Sequence, residues 1–455
     1  SDRHRAFIAV HTGAGRYSRR NERAYTDFCR RVCQTVGDRL AAGAGALEAV
    51  SLAVAMLEDS ELTNAGRGSC LSRDGSVQCD AGVMLDSRGL FAGVGALPGL
   101  VRRPVLVARC LLESQLQSPL LPGGLIPPSL LVGHGALDWA RANCRDCDVG
   151  FVESDNALVT PAARTAYLKY SRLLEAAEQQ QQQQRLGPRK RRAESPDSSP
   201  SGESTASTAA VERQLGNGGH RCWLTPAAGG GPVSDTVGAV CLDSSGRIAV
   251  ACSSGGVALK QPGRVGQAAI FGCGCWAESV GDAGVEDDDG GSTGVGCVTS
   301  GAGEYLVRCQ LAQTCARAAL RRSPRRASPA VVSNGDCGGS ESSGSDIDAH
   351  RQDDLASVAG DCLRREFLGH AFMEGVELRD AGLLLIRRRR QDPNLPLQQL
   401  EFLYGHTTEA MCVGWQIVGE GDGEGECEAV VSRQATITDQ SHRDIVCISG
   451  SVYRL

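Results

Sequence analysis

The sequence predicts a mixed α and β fold. Short apolar runs of strand length alternate with longer stretches of helical spacing, and glycine is abundant, at 57 of 455 residues. Apolar runs bounded by glycine and polar turns suit buried strands, while apolar residues recurring every three or four positions suit helices with one buried face. The glycines suit tight turns and close backbone approaches. A chain of this length can form one large or two ordinary domains.

In chain order, Phe7-Ile8-Ala9-Val10-His11 reads as a strand leading into the turn Thr12-Gly13-Ala14-Gly15. That Gly-x-Gly lacks the Gly-Lys-Ser/Thr continuation of a phosphate loop. His11 beside it reads as a structural hydrogen-bonding residue. Helical periodicity covers 21–40 and 46–57, broken by Gly43 and Gly45. Leu62-Thr63-Asn64-Ala65-Gly66-Arg67-Gly68-Ser69 follows, where Asn64 before glycines is a natural turn residue. Next come a strand over 76–85, a helix over 104–113, a Pro/Gly-rich loop, and a helix after Gly133-His134-Gly135-Ala136. A helical stretch over 163–185 ends in the glutamine run 179–184.

From about 186 to 231 the chain is too poor in apolar residues to hold a core, and disorder is expected. Its basic cluster Arg189-Lys190-Arg191-Arg192 reads either as a solvated charge run or as a nuclear import signal. Exposure on a linker favours the signal, so the nuclear import machinery is an expected partner, with residence in the nucleus and also the cytoplasm.

Thr236 opens a β-rich half. Strand-like 236–243 and 247–252, joined by a Ser-Ser-Gly turn, suggest a hairpin that runs into Ser253-Ser254-Gly255-Gly256. A Gly- and Pro-punctuated loop, Lys260 to Gln267, presents Arg264. The strand 294–299 ends in Ser300-Gly301-Ala302-Gly303-Glu304 before a helical pattern to about 320. A Ser/Gly/Asp-rich insertion is expected at about 323–349 between two helices. Insertion entropy grows slowly with length, so the segment need not disturb the fold. Leu383-Leu384-Leu385-Ile386 is strand-like, with Arg387 to Arg390 at its ordered end, and strands at 400–404, 411–418 and 444–455 complete the pattern.

A net charge of −6 and a pI of 5.8 give no global attraction to nucleic acid, and no direct nucleic-acid contact is expected. The 20 cysteines are scattered, and Cys144-Arg145-Asp146-Cys147 lacks a second pair at zinc spacing, so no metal is expected. Most read as small apolar residues of a reducing compartment. Neither a signal peptide nor an apolar run of membrane-spanning length is visible, and no membrane partner is expected. The chain opens on Ser1 rather than methionine, so the native N-terminus is expected to lie upstream.

The chemistry centres on Ser234-Asp235-Thr236-Val237-Gly238-Ala239-Val240. A mid-chain threonine hydroxyl has no base to take its proton. At a chain terminus, the α-amine on the adjacent carbon is such a base, with a pKa of about 7.7–8.0. Cleavage after Asp235 would therefore give Thr236 both nucleophile and base. The plainer reading is a β-branched residue opening a strand.

What lies downstream favours the first reading. Thr236-Val237-Gly238-Ala239-Val240, Ser253-Ser254-Gly255-Gly256, Pro262-Gly263-Arg264-Val265-Gly266 and Ser300-Gly301-Ala302-Gly303-Glu304 resemble, in order and spacing, the β subunit of the type-2 asparaginases, a family of N-terminal nucleophile hydrolases. The segments 271–278 and 406–414 resemble the endopeptidase branch of that family, the threonine aspartases. The resemblance covers most of 7–180 and 232–455. It implies Thr236 as the nucleophile, Ser254 as its supporting hydroxyl, and Arg264 as the group holding a substrate carboxylate, a role suited to a planar guanidinium. It also implies Ser300 and Gly301 beside the developing oxyanion, Asn64 as a further amide donor, and Gly13 lining the site.

Two departures point to the endopeptidase. Gln267 stands where asparaginases carry an aspartate that pairs with the ammonium of a small substrate, and a neutral amide loses that attraction. Asp235 replaces the usual glycine before the nucleophile, so the chain's own junction resembles a bond it would cut in trans. The resemblance implies a four-layer αββα sandwich of the α+β class, autocleaved into an α subunit (1–235) and a β subunit (236–455). It further implies pairing of two αβ heterodimers, no cofactor, and hydrolysis after an internal aspartate in nuclear protein substrates such as chromatin methyltransferases and transcription-factor precursors. Two rivals are an isoaspartyl peptidase or L-asparaginase acting on small substrates, and a non-catalytic nuclear adaptor.

Overall fold

The structure, a computed structural model, describes residues 5–118, 120–186, 236–280, 293–321, 354–390, 398–419, 427–434 and 445–455. The expected linker beyond 186, its basic cluster, Asp235 and the insertion at 323–349 lie outside them.

The N-terminal part contributes β1 (Ala6–Gly15), α1 (Glu22–Ala41), α2 (Ala46–Glu58), β2 (Gln78–Leu85), β3 (Leu90–Pro98), α3 (Pro104–Gln117), β4 (Leu130–Val132), α4 (Gly133–Asn143) and α5 (Pro161–Leu186). From Thr236 onward come β5 (Val237–Leu242), β6 (Ile248–Ser254), β7 (Cys275–Val280), β8 (Thr293–Gly301), α6 (Gly303–Cys309), α7 (Leu311–Arg321) and α8 (Leu355–Asp361). A π-helical segment, Cys362–Leu368, continues α8, and β9 (Ala381–Arg390), β10 (Gln398–His406), β11 (Ala410–Val418), β12 (Cys427–Arg433) and β13 (Cys447–Arg454) complete the fold.

The strands form two sheets, ordered β12-β11-β1-β5-β6-β2-β3-β4 and β13-β10-β9-β8-β7. All named pairs are antiparallel except β3 with β4. Strand alternation sorts the core. Ile8, Val10, Val237 and Cys241 face α1, α2 and α3, whereas Phe7, Ala9, Val240 and Leu242 face the second sheet. Helices α7 and α8 cover the other face of that second sheet. The sheets meet closely because small residues line their interface: a Cβ on Gly296 or Gly294 would fall 2.8 or 2.9 Å from Ile248. The result is helices, sheet, sheet, helices.

The central hairpin forms as its sequence suggests. Asp243 Oδ1 accepts from Ser245 N, Ser245 Oγ and Arg247 N, and Gly246 takes φ 80° to close the turn between β5 and β6. Elsewhere the outcome differs. The helical pattern to about 320 is two helices, because Gln310 adopts φ 46° and ends α6. The run Arg387 to Arg390, by contrast, ends β9 as expected, and Arg387 is fully buried in a bidentate pair with Glu401. Cys29, Cys33, Cys241, Cys252, Cys275, Cys297 and Cys315 are buried free thiols within the two cores, packed as small apolar residues.

Candidate active site

Thr236 immediately precedes β5, in the interior of the larger sheet. The β5–β6 register pairs Val237 with Ser253, and one further step sets Thr236 opposite Ser254. Thr236 is buried, and its Oγ1 accepts a 2.6 Å hydrogen bond from Gln267 Nε2. A donor aimed at a hydroxyl oxygen favours the form in which that oxygen gains negative charge.

The Ser254 turn is braced from both halves of the chain. Ser254 Oγ accepts from Gly256 N at 3.0 Å. Asn64 Nδ2 donates to Gly256 O at 2.8 Å, while its Oδ1 accepts from Cys70 N and its backbone carbonyl from Gly255 N. A Cβ on Gly255 would meet Asn64 Oδ1 at 2.5 Å, so the approach needs glycine. The asparagine expected to serve an oxyanion thus uses its amide to hold this turn.

Lys260 is a support that sequence reasoning passed over, because a lysine in a Gly/Pro loop reads as solvated. It is buried, and its Nζ donates to Gly255 O at 2.8 Å and to Gln78 O. Burial lowers the ammonium's pKa, against the pull of Asp80. Asp80 is itself buried and accepts from Ala96 N and Gly266 N, each at 2.8 Å, which fixes the end of the loop just before Gln267. Burial raises its pKa, opposed first by Lys260.

Arg264 and Gln267 meet around Gly303. A Cβ there would fall 2.5 Å from Gln267 Oε1 and 2.7 Å from Arg264 Nη2. The guanidinium donates from Nε and Nη2 to the two oxygens of Glu304, at 2.9 and 2.8 Å.

Ser300 and Gly301 end β8, and Ser300 Oγ accepts from Ala14 N at 3.0 Å, which ties β8 to the turn containing Gly13. Gly13 has φ 118°, and its carbonyl accepts from the Tyr17 hydroxyl at 2.8 Å. Gly301, at φ 132°, would put a Cβ 2.2 Å from the Asp380 carbonyl. Hydrogen bonds and close approaches thus join Thr236 to Gln267, Gln267 to Arg264 around Gly303, Asn64 to the Ser254 turn, and Ser300 to the turn containing Gly13. Val298, two residues before Ser300, packs over Gly238, two residues after Thr236.

His11 differs from its reading as a hydrogen-bonding residue. It pairs with Gly238 across β1 and β5 and is fully buried, and neither ring nitrogen has a hydrogen-bond partner among the described residues. Burial lowers its pKa to about 3, so the ring is neutral at working pH. Among the described residues no group of three or more His, Cys, Asp or Glu side chains is arranged to hold a metal ion.

Within a four-layer α+β sandwich, the candidate site sets the Gln267 amide on the buried Thr236 hydroxyl, with Arg264 meeting Gln267 around Gly303. The asparaginase family profile matches residues 4–336. The isoaspartyl peptidase of Escherichia coli (strain K12) is 30% identical over 340 residues, covering 70% of this chain and 83% of that protein. An isoaspartyl peptidase/L-asparaginase of Xenopus laevis is 29% identical, covering 67% and 73%. A plant-type L-asparaginase of Pyrococcus furiosus is 30% identical, covering 68% and 77%. The chain belongs to the asparaginase family of hydrolases.

Proposed function

We propose that this protein is a threonine-type endopeptidase that first cuts itself between Asp235 and Thr236 and then hydrolyses peptide bonds after aspartate in other proteins. The observation that carries this reading is the Gln267–Thr236 contact, in which a neutral amide rather than a carboxylate stands against the nucleophile. The nearby carboxylates are engaged, Asp80 by two backbone N–H groups and Glu304 by Arg264. Among the described residues a small substrate's ammonium would thus meet no unengaged carboxylate there, at the desolvation cost of an unpaired charge. An internal peptide bond carries no such charge.

In the proposed reaction Arg264 holds the aspartyl carboxylate and the freed amine of Thr236 takes the hydroxyl proton. Oγ1 attacks the carbonyl carbon, and the amine returns the proton to the leaving nitrogen. Water then releases the acyl ester. Gln267 and the Ser300–Gly301 segment are the candidate donors to developing negative charge.

A second reading, an isoaspartyl peptidase or L-asparaginase, is favoured by the names of the relatives, which stand at about 30% identity. Incubating the purified protein in parallel with an internal-aspartate peptide, a β-aspartyl dipeptide and asparagine separates the two. Cleavage of the peptide alone supports the endopeptidase, and turnover of only the small substrates overturns it. The nuclear part of the proposal, with nuclear proteins as substrates, rests on Arg189 to Arg192. Unchanged nuclear accumulation after deletion of that run would refute the import role.

A further inference from the structure

The Arg264 guanidinium is approached differently on its two edges. Glu304 takes the Nε–Nη2 edge with both carboxylate oxygens. The Glu304 side chain is 57% exposed and that of Arg264 only 14%, so the carboxylate covers the arginine from the solvent side. The opposite end lies among glycines. A Cβ on Gly266 or Gly256 would fall 2.6 or 3.0 Å from Nη1, and one on Gly303 would fall 2.7 Å from Nη2. That Gly303 position also touches Gln267 Oε1, and Gln267 Nε2 reaches the Thr236 hydroxyl. Among the described residues nothing accepts from Nη1. A guanidinium can hold a carboxylate in bidentate fashion along either edge, and here only one edge is taken.

We propose that Glu304 is a positioning residue for substrate recognition: it fixes the plane of Arg264 so that the Nη1–Nη2 edge, on the Gln267 side, receives the substrate's carboxylate. This rests on the reading of Arg264 as the carboxylate-binding group. The competing possibility is that Glu304 occupies the substrate's own place and must be displaced. The two differ in the sign of one effect. A positioning residue tightens substrate binding, and its loss raises KM. An occupant weakens binding, and its loss lowers KM.

The experiment compares wild type, Glu304→Gln and Glu304→Ala as self-cleaved enzymes acting on an internal-aspartate peptide and on asparagine. Glu304 is mostly exposed, and matched melting curves check that the variants fold. Loss of an exposed bidentate partner is expected to raise KM roughly fivefold in Glu304→Ala, with kcat within about twofold of wild type and Glu304→Gln in between. Succinate serves as a dicarboxylate probe that needs no self-cleavage, and its calorimetric affinity is expected to weaken by the same factor on cut or uncut protein. A fall in KM, or a gain in succinate affinity, would show Glu304 to be an occupant. Unchanged KM and succinate affinity, or a loss confined to kcat, would equally overturn the proposal. Because the carboxylate of asparagine serves as well as that of the peptide, wild type acting only on asparagine would sink the endopeptidase reading while leaving Glu304 under test.

Discussion

Gln267 donates its side-chain N–H to the Thr236 hydroxyl oxygen across 2.6 Å, and both residues are buried. Replacing Gln267 by aspartate keeps a polar group there but turns a donor into an anionic acceptor. A hydrogen bond to developing charge contributes about 1.5–3 kcal/mol, so peptide-cleaving kcat is expected to fall on the order of 10- to 100-fold. The same variant should gain turnover of asparagine, whose ammonium it can pair. Steady-state kinetics on both substrates checks this.

Gly303 separates two effects that core substitutions usually mix. An added Cβ would meet only the polar ends of Gln267 and Arg264, at 2.5 and 2.7 Å. Gly303→Ala is therefore expected to raise KM for the peptide while leaving the melting temperature within a few degrees. At Gly301 the obstacle is the Asp380 carbonyl and φ is 132°, so Gly301→Ala should lower the melting temperature as well.

Glu58 gives stability a component that weakens in base. Its side chain is fully buried at the end of α2, and Oε1 accepts from Val105 N at 3.0 Å. Burial raises its pKa from 4.5 to about 8, against the pull of Ser253 and Val105. The folded state therefore holds a proton that the unfolded chain releases above 4.5. This contribution is complete below that value and declines as pH rises to about 8. Glu58→Gln mimics the protonated form. It should remove this decline, a gain on the order of a few kcal/mol at pH 8 and above in urea titrations.

His11 acts in the opposite direction. Burial holds its pKa near 3 against an ordinary 6.5, so the unfolded chain binds a proton that the folded protein refuses. The contribution is whole above 6.5 and shrinks as pH falls toward 3. In imidazole NMR titrations His11 should stay neutral at pH 5, and a His11→Asn variant should lose stability less steeply between pH 6.5 and 4 than wild type does.

What the sequence disclosed follows from what is local. The hairpin ending at Ser254 was legible because Asp243, Ser245 and Gly246 carry their turn chemistry within a few residues. Arg264 and Gln267 could be singled out because the segment carrying them resembles the asparaginase pattern, in which Arg264 matches the carboxylate-holding arginine and Gln267 stands in place of an aspartate. Residues whose partners arrive from elsewhere could not be read this way. Lys260 looks solvated until Gln78 O and Gly255 O are seen around it, and Glu304 looks like a helix-opening acid until Arg264 turns toward it. The break at Gln310 left no mark in helical periodicity, because a left-handed glutamine is a poor signal beside a glycine. Strands β3 and β12 were passed over because, outside a sheet, their short apolar runs do not differ from loop sequence.

The most direct test of the account is the intact mass of purified wild-type protein beside Thr236→Ala, with activity measured on the same samples. Wild type is expected to give two polypeptides, 1–235 and 236–455, with threonine at the head of the second, and to cleave an internal-aspartate peptide. Thr236→Ala is expected to remain one inactive chain. An active wild-type preparation in which Asp235 and Thr236 are still joined would contradict the claim that the freed threonine supplies its own base.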